Sequence, residues 1–269
     1  MRLVACDLDG TIVWRDGTVT PRTVAALEAC ELAGVRVVFV TGRPPRWMAP
    51  IADATRHHGV AVCANGAVVY DLAAERIVRT RGIALDAVRE VARLVRRAVP
   101  GGAFAVETLE GFRREPDYRP RRGVEGMQVG VLDELIADDP LVVKLLYRVE
   151  SGVADDMLAA ARTALEGIAE PVHSDAASGM LEIAAAGVSK ASTLADLAAE
   201  DEIGPEDVVA FGDMPNDVPM LLWAGRGYAM AGGHPEAVAA AGRTAPACED
   251  DGVAQILEQL LAGSAAGRP

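Results

Sequence analysis

Two carboxylates and a carboxamide crowd one short stretch of this chain, Gly212-Asp213-Met214-Pro215-Asn216-Asp217. Oxygen ligands so closely spaced suit a hard cation such as Mg2+, although Asp, Asn and Pro also form ordinary turns. A second acidic group, Asp7-Leu8-Asp9-Gly10-Thr11, follows the apolar run that ends at Cys6, and Thr41-Gly42-Arg43 follows Val35-Arg36-Val37-Val38-Phe39-Val40. Each group begins where a buried strand stops, and in open α/β sheets the carboxyl ends of strands are where ligands bind. If these strands share one sheet, Asp7, Asp9, Thr41, Asp213 and Asp217 meet at one edge. Two carboxylates about 4 Å apart repel by roughly 4 kcal/mol at an effective dielectric near 20. Several ionised Asp at one place therefore call for a divalent cation or for raised pKa values. With Lys190 and the Thr41 hydroxyl added, such a site could hold a phosphoryl group, whose transfer depends on charge neutralisation and positioning.

The elements that must position these groups follow a regular strand and helix alternation at both ends of the chain. Thr20-Pro21 opens a helix with a capping hydroxyl and a proline at the first helical position, and Gly34 closes it. Pro44 opens another, expected to run to about His58. Val60 to Cys63 is a third buried strand, ending in Asn65-Gly66-Ala67, and a hairpin around Leu72-Ala73-Ala74 follows. From Lys190 the alternation resumes, with a helix from Ala191 and the strand before Gly212. The expected fold is α/β, a Rossmann-like doubly wound parallel-sheet core made of residues 1–82 and 184–269. Between them, 83–183 read as an inserted α+β domain with an antiparallel sheet, containing a helix over Asp86 to Val99 and strands near Ala103 to Thr108, Leu141 to Val149 and Met180 to Ala184.

Composition narrows the class. The 269 residues are 51% hydrophobic, ample for a packed core. A net charge of -13 argues against a nucleic-acid binder, whose phosphate contacts need a basic face. Cys6, Cys30, Cys63 and Cys248 are far apart and form no CxxC pair, so free thiols in a reducing compartment are expected. The apolar run at the start is too short for a signal peptide, and no segment has the length of a membrane span. A soluble cytoplasmic protein is expected, as a monomer or homodimer.

Taken together, Asp7-Leu8-Asp9-Gly10-Thr11, Thr41-Gly42-Arg43, Lys190 within Gly187-Val188-Ser189-Lys190, and Gly212-Asp213-Met214-Pro215-Asn216-Asp217 resemble, in order and spacing, the four motifs of the haloacid dehalogenase superfamily, most closely its Cof-type branch. The resemblance spans nearly the whole chain. It implies that 83–183 form a cap that governs substrate choice, that Asp7 attacks phosphorus to form an aspartyl-phosphate, and that Asp9 is the general acid and then the base. Thr41, Gly42 and Lys190 would hold the phosphoryl oxygens. Asp7, the Asp9 carbonyl, Asp213 and Asp217 would hold Mg2+, with Asn216 completing or orienting that set. The implied activity is hydrolysis of a small phosphorylated metabolite, such as a sugar phosphate or phosphoglycolate. A phosphomutase, a weakly active ligand-sensing protein and a metal-binding module are the competing readings.

Some residues stay open between two roles. Lys190 could be a plain lysine at a helix start and Thr41 a mere cap. Arg43 could bind substrate, and Asn65 could close a turn or touch substrate or the motif loops. Lys144 could reach into a cleft but reads more readily as pointing outward. Five arginines between Arg113 and Arg122 could serve a second substrate anion through Arg119 and Arg121, although a solvated loop is the simpler reading. The chain departs from the Cof-type pattern at Ala231-Gly232-Gly233-His234-Pro235, where an Asn-Ala pair is usual; His234 is expected to cap the following helix rather than to act in catalysis.

Overall fold

Strand β1, Leu3–Cys6, is buried at every position, as a central strand covered on both faces must be. The computed structural model describes residues 1–120, 127–137 and 141–266, the last three for their backbone only. Helix α1 (Pro21–Leu32) begins at Thr20, whose hydroxyl accepts from the Thr23 N–H at 3.1 Å, and Pro21 occupies its first turn. Strand β2 (Arg36–Val40) follows, and then a 3-10 turn over Pro45–Trp47 before helix α2 (Ala49–Thr55). The single helix expected from Pro44 to His58 is thus split and shortened. Pro45 and Pro50 each sit in a first turn, where a missing N–H costs nothing, and each therefore starts a new element. Strands β3 (Val60–Cys63), β4 (Val68–Asp71) and β5 (Arg76–Thr80) complete the first segment.

The inserted segment contains α3 (Leu85–Ala98), β6 (Ala103–Glu107), β7 (Phe112–Arg114), β8 (Gln128–Val129), α4 (Leu132–Ile136), β9 (Lys144–Arg148), α5 (Ala154–Ala164), β10 (Ala169–Val172) and β11 (Met180–Ala185). The last segment contains α6 (Lys190–Glu200), β12 (Val208–Gly212), α7 (Val218–Trp223), β13 (Arg226–Met230), α8 (Pro235–Ala241), β14 (Thr244–Ala245) and α9 (Gly252–Ala266). Two compact units result, Met1–Arg79 with Lys190–Pro269, and Thr80–Ser189. The borders fall at 79/80 and 189/190 where 82/83 and 183/184 are expected, and at the second of them the strand ending at Ala185 and the turn after it stay with the inserted sheet.

The first unit is built on an eight-stranded sheet in the order β14-β13-β12-β1-β2-β3-β4-β5. From β14 to β3 the pairing is parallel, with Cys6 opposite both Phe211 and Phe39, and β4 turns back antiparallel. Leu3, Ala5, Val38, Val40, Val208 and Ala210 pack with residues of α6, α7 and α8. Alternation then turns Val4, Cys6, Val37, Phe39, Val209 and Phe211 to the opposite face, where α1 packs on β2 and α9. Since β1, β2, β3 and β12 run the same way, their carboxyl ends bring Asp7, Thr41, Ala64 and Asp213 to one edge.

The second unit is a six-stranded sheet in the order β10-β11-β9-β6-β7-β8, antiparallel except between β7 and β8. One face, through Phe104, Val106, Leu145, Tyr147, Leu181 and Ile183, packs on α3, α4 and α5. The other face carries Ala103, Ala105 and Leu146, with Tyr118 over them.

Candidate active site

Asp7 follows β1 directly, and its N–H still donates to the Phe211 carbonyl at 3.0 Å, so the ladder fixes where its side chain begins. Lys190 is the first residue of α6. Its Nζ lies 2.6 Å from Asp7 Oδ1 and 2.6 Å from Asp217 Oδ1, and the ammonium is 1% exposed. Asp217 is fully buried, and its second oxygen accepts from the N–H groups of Asp213 at 3.1 Å and Met214 at 3.0 Å. That carboxylate therefore ties the turn after β12 to the lysine. Gly212 is required here, since a Cβ would strike the Asp217 side chain.

Ligand oxygens of Asp7, Asp213 and Asp217 lie within 4.8 Å of one another. Of these three carboxylates the lysine pairs with two, Asp7 and Asp217, so negative charge is in excess here. Burial pushes the Asp213 carboxyl up to about 9, with Asp7 and Asp217 adding to the shift. Burial likewise lifts Asp7 to about 7, a rise that Lys190 opposes and Asp217 reinforces. Burial alone would lower the Lys190 pKa, but Asp217 and Asp7 outweigh it and hold it raised. Among the described residues, Asp213 Oδ1 is buried without a hydrogen-bond partner. Gly10, at φ +79°, leaves room for this carboxylate, which a Cβ would strike. An unpartnered buried oxygen amid excess negative charge, with an all-oxygen donor set, fits a hard divalent cation.

The remaining motif residues frame this group. Thr41 is 1% exposed, its N–H donates to the Val62 carbonyl at 2.8 Å, and its Oγ1 accepts from the Arg43 N–H at 3.1 Å. Gly42 lies between them. Asn65 sits in the left-handed region at φ 56° beside Ala64 at φ 50°, and such strain in non-glycine residues collects at functional loops. Its side-chain oxygen accepts from Asn216 Nδ2 at 3.1 Å, so Asn65 reaches a motif loop and does more than close a turn. Arg43 places two nitrogens on the Asp9 carboxylate, Nε at 2.8 Å and Nη2 at 2.5 Å. Sequence reasoning named both residues but missed their pairing, because no periodicity tells where a long side chain in a loop will go.

Of the residues expected in the inserted unit, Lys144 is corrected. It is 4% exposed and pairs with Glu182, whose other oxygen accepts from Ser174, so it does not point outward. Arg113 and Arg114 are used internally: Arg113 donates to the Leu135 carbonyl, and Arg114 to the carbonyls of Glu115, Pro116 and Tyr118. Arg119 is exposed, and Arg121 lies outside the described residues. In the loop after β13, a Cβ on Gly233 would come within 2.8 Å of the Asp213 carbonyl, and that carbonyl accepts from the His234 N–H at 2.7 Å. The departure at Gly232-Gly233-His234 thus lets this loop lie against the acidic turn. His234 caps α8, Nδ1 accepting from the Glu236 N–H at 3.2 Å.

A parallel sheet with acidic strand ends around a buried lysine defines the class of haloacid dehalogenase-like enzymes. Residues 4–257 match the family of haloacid dehalogenase-like hydrolases. The chain belongs to that family, in its Cof-type branch, and is a phosphoric monoester hydrolase. It is 27% identical over 274 residues to the 5-amino-6-(5-phospho-D-ribitylamino)uracil phosphatase of Bacillus subtilis, covering 96% of this chain and 97% of that one. It is 28% identical over 275 residues to the HMP-PP phosphatase of Yersinia pseudotuberculosis, covering 97% and 95%. Among solved structures, a phosphatase of the haloalkanoate superfamily from Bacteroides thetaiotaomicron superposes with a TM-score of 0.78 at 21% identity, covering 96% of this chain and 94% of that one.

Proposed function

We propose that the enzyme is a Mg2+-dependent phosphatase of a small phosphorylated metabolite, acting through an aspartyl-phosphate on Asp7. The observation that carries this reading is the convergence of Asp7, Asp213 and Asp217 around Lys190, within 2.6 Å of two of them. Asp7 attacks phosphorus as the ester bond breaks, and Asp9 gives its proton to the leaving oxygen. Water then attacks the phosphorylated Asp7, passes a proton to Asp9 and releases inorganic phosphate, restoring the carboxylate. Lys190 neutralises the developing charge on the phosphoryl oxygens, with the Thr41 hydroxyl and the Gly42 N–H as donors. Asp7, the Asp9 carbonyl and Asp213 would hold Mg2+, which when bound supplies charge neutralisation at the phosphoryl group. Asp217 already serves Lys190 and two backbone N–H groups, so its part is to hold Asp213 and Lys190 in place, with Asn216 supporting the same turn.

One chain contributes every one of these residues, so each copy of a monomer or a homodimer would carry its own site. A small phosphorylated metabolite suits the named activities of the relatives. A cytoplasmic setting is supported by four buried free cysteines, and no helix among the described residues is long and apolar enough to cross a membrane. A panel of phosphometabolites assayed with Mg2+ and ranked by kcat/KM tests the proposal. Release of inorganic phosphate without a bisphosphate activator is expected. Transfer of the phosphoryl group back to a sugar, or no release from any ester, would refute it.

A further inference from the structure

Asp9 stands apart from the other acids of this site. Its side chain is 59% exposed, against 0% for Asp217 and 7% for Asp7. It follows β1 on a turn whose next residue, Gly10, has φ +79°. An exposed carboxylate beside a glycine has little packing to select a rotamer. What holds it is Arg43, 14% exposed, whose Nε and Nη2 meet the two carboxylate oxygens as a fork. Charge-assisted bidentate pairs of this kind fix orientation as well as adding energy. Arg43 is itself anchored: its N–H donates to Thr41 Oγ1 at 3.1 Å, and its carbonyl accepts from the Ala64 N–H at 2.9 Å. The fork therefore ties the aim of Asp9 to the loops after β2 and β3.

We propose that Arg43 is the positioning residue of Asp9, holding it as an aimed carboxylate for the half-reaction in which water is deprotonated. The inference rests on the phosphatase reading above. In that half-reaction the water oxygen bonds to phosphorus, the bond from Asp7 oxygen to phosphorus breaks, the water proton passes to Asp9, and Asp7 leaves as a carboxylate. The fork fixes the direction of both Asp9 oxygens, on which removal of the water proton depends. It gives no comparable help to the first half-reaction, where an ester with a good leaving group needs little acid. The roles can therefore be separated kinetically. For a two-step hydrolysis, kcat/KM reports events through phosphorylation of Asp7, while kcat includes breakdown of the phosphoenzyme.

The test compares the full-length wild type with Arg43→Ala and Arg43→Lys on p-nitrophenyl phosphate with Mg2+. For Arg43→Ala, kcat is expected to fall about tenfold or more, less than the roughly 10^2–10^4-fold that the proton-transfer group itself contributes, because Asp9 is still present. KM should fall with it, so that kcat/KM changes little, and a pre-steady-state burst of nitrophenolate should appear. Arg43→Lys keeps the charge but not the fork, and its kcat should lie between the two. A raised KM with kcat retained would make Arg43 a substrate contact and overturn the proposal. Equal losses in kcat and kcat/KM without a burst, with or without a lower Tm, would overturn it too. Failure of the wild type to hydrolyse this or any other phosphate ester would instead refute the phosphatase reading.

Discussion

Each unit of this enzyme buries one lysine, and the two are treated differently. Lys144 meets Glu182, and Ser174 occupies the other oxygen of that carboxylate. Lys190 is shared between Asp7 and Asp217, and Asp213 beside them keeps a buried oxygen without a partner among the described residues. The first arrangement is satisfied by the chain's own groups. The second leaves an oxygen and a cluster of acids that could take up a cation. A buried charge by itself thus says little about function; an excess of one sign, with an orphaned atom aimed at the same place, says much more.

The largest effect expected is on chemistry at the uncompensated site. Asp7→Asn should lower kcat at least about 10^4-fold, as loss of a nucleophile does, with Tm much less affected. Activity surviving at the wild-type level would break the contrast at once. Lys190→Met should both abolish measurable turnover and destabilise the fold by about 3–5 kcal/mol, because it strands buried carboxylates. Chemical denaturation with and without Mg2+ would read the second effect.

Next in size is a dependence on pH. Asp213 in the folded chain binds its proton up to about 9, whereas the unfolded carboxyl releases it near 3.8. The folded state thus holds more protons across that window, and metal-free stability should fall as pH rises through it, by up to about 1.4 kcal/mol per pH unit for one group. Asp7 adds to the slope between 3.8 and about 7. Saturating Mg2+ should flatten the curve and raise Tm at pH 8, as should Asp213→Asn without metal. A metal-free Tm that rises from pH 5 to 8 would contradict the charge imbalance.

The satisfied pair should behave in the opposite way. Replacing Lys144 and Glu182 together by Met and Leu should change stability by no more than about 1–2 kcal/mol, since a buried pair exchanged for apolar residues of similar size is often neutral. The smallest effect is expected at Arg119. Its replacement by Ala should shift stability by less than about 0.5 kcal/mol and raise KM for a doubly anionic ester more than for p-nitrophenyl phosphate. Equal KM changes on both would exclude it from substrate choice.

The contrast between the two lysines also marks what was legible in the sequence. The turn after β12, the Asp7 to Thr11 stretch and Thr41-Gly42-Arg43 could be read because strand ends are marked by apolar runs and the chemistry requires particular residue types there. Lys190 could be placed only by its company, being a single residue at a helix start. Lys144 was misread because a lone lysine in a strand carries no sign of the glutamate on the neighbouring strand that lets it be buried. The fork between Arg43 and Asp9 was equally invisible, since the pair is separated by a helix and a strand and joined only by side-chain reach. The split of the helix after Pro44 was foreseeable in kind: the prolines were in view, but whether each starts or ends a turn depends on packing.

In the proposed mechanism Asp7 accepts the phosphoryl group while a cation balances the excess negative charge around it. The most direct test of this mechanism is to mix the enzyme with Mg2+ and a hydrolysed phosphate ester, quench in acid within one turnover, and map the modified peptide by mass spectrometry. One phosphoryl group on Asp7, absent when Mg2+ is omitted and absent in Asp7→Asn, is the predicted result. Turnover with no trapped group on Asp7, or with the group on another residue, would contradict it.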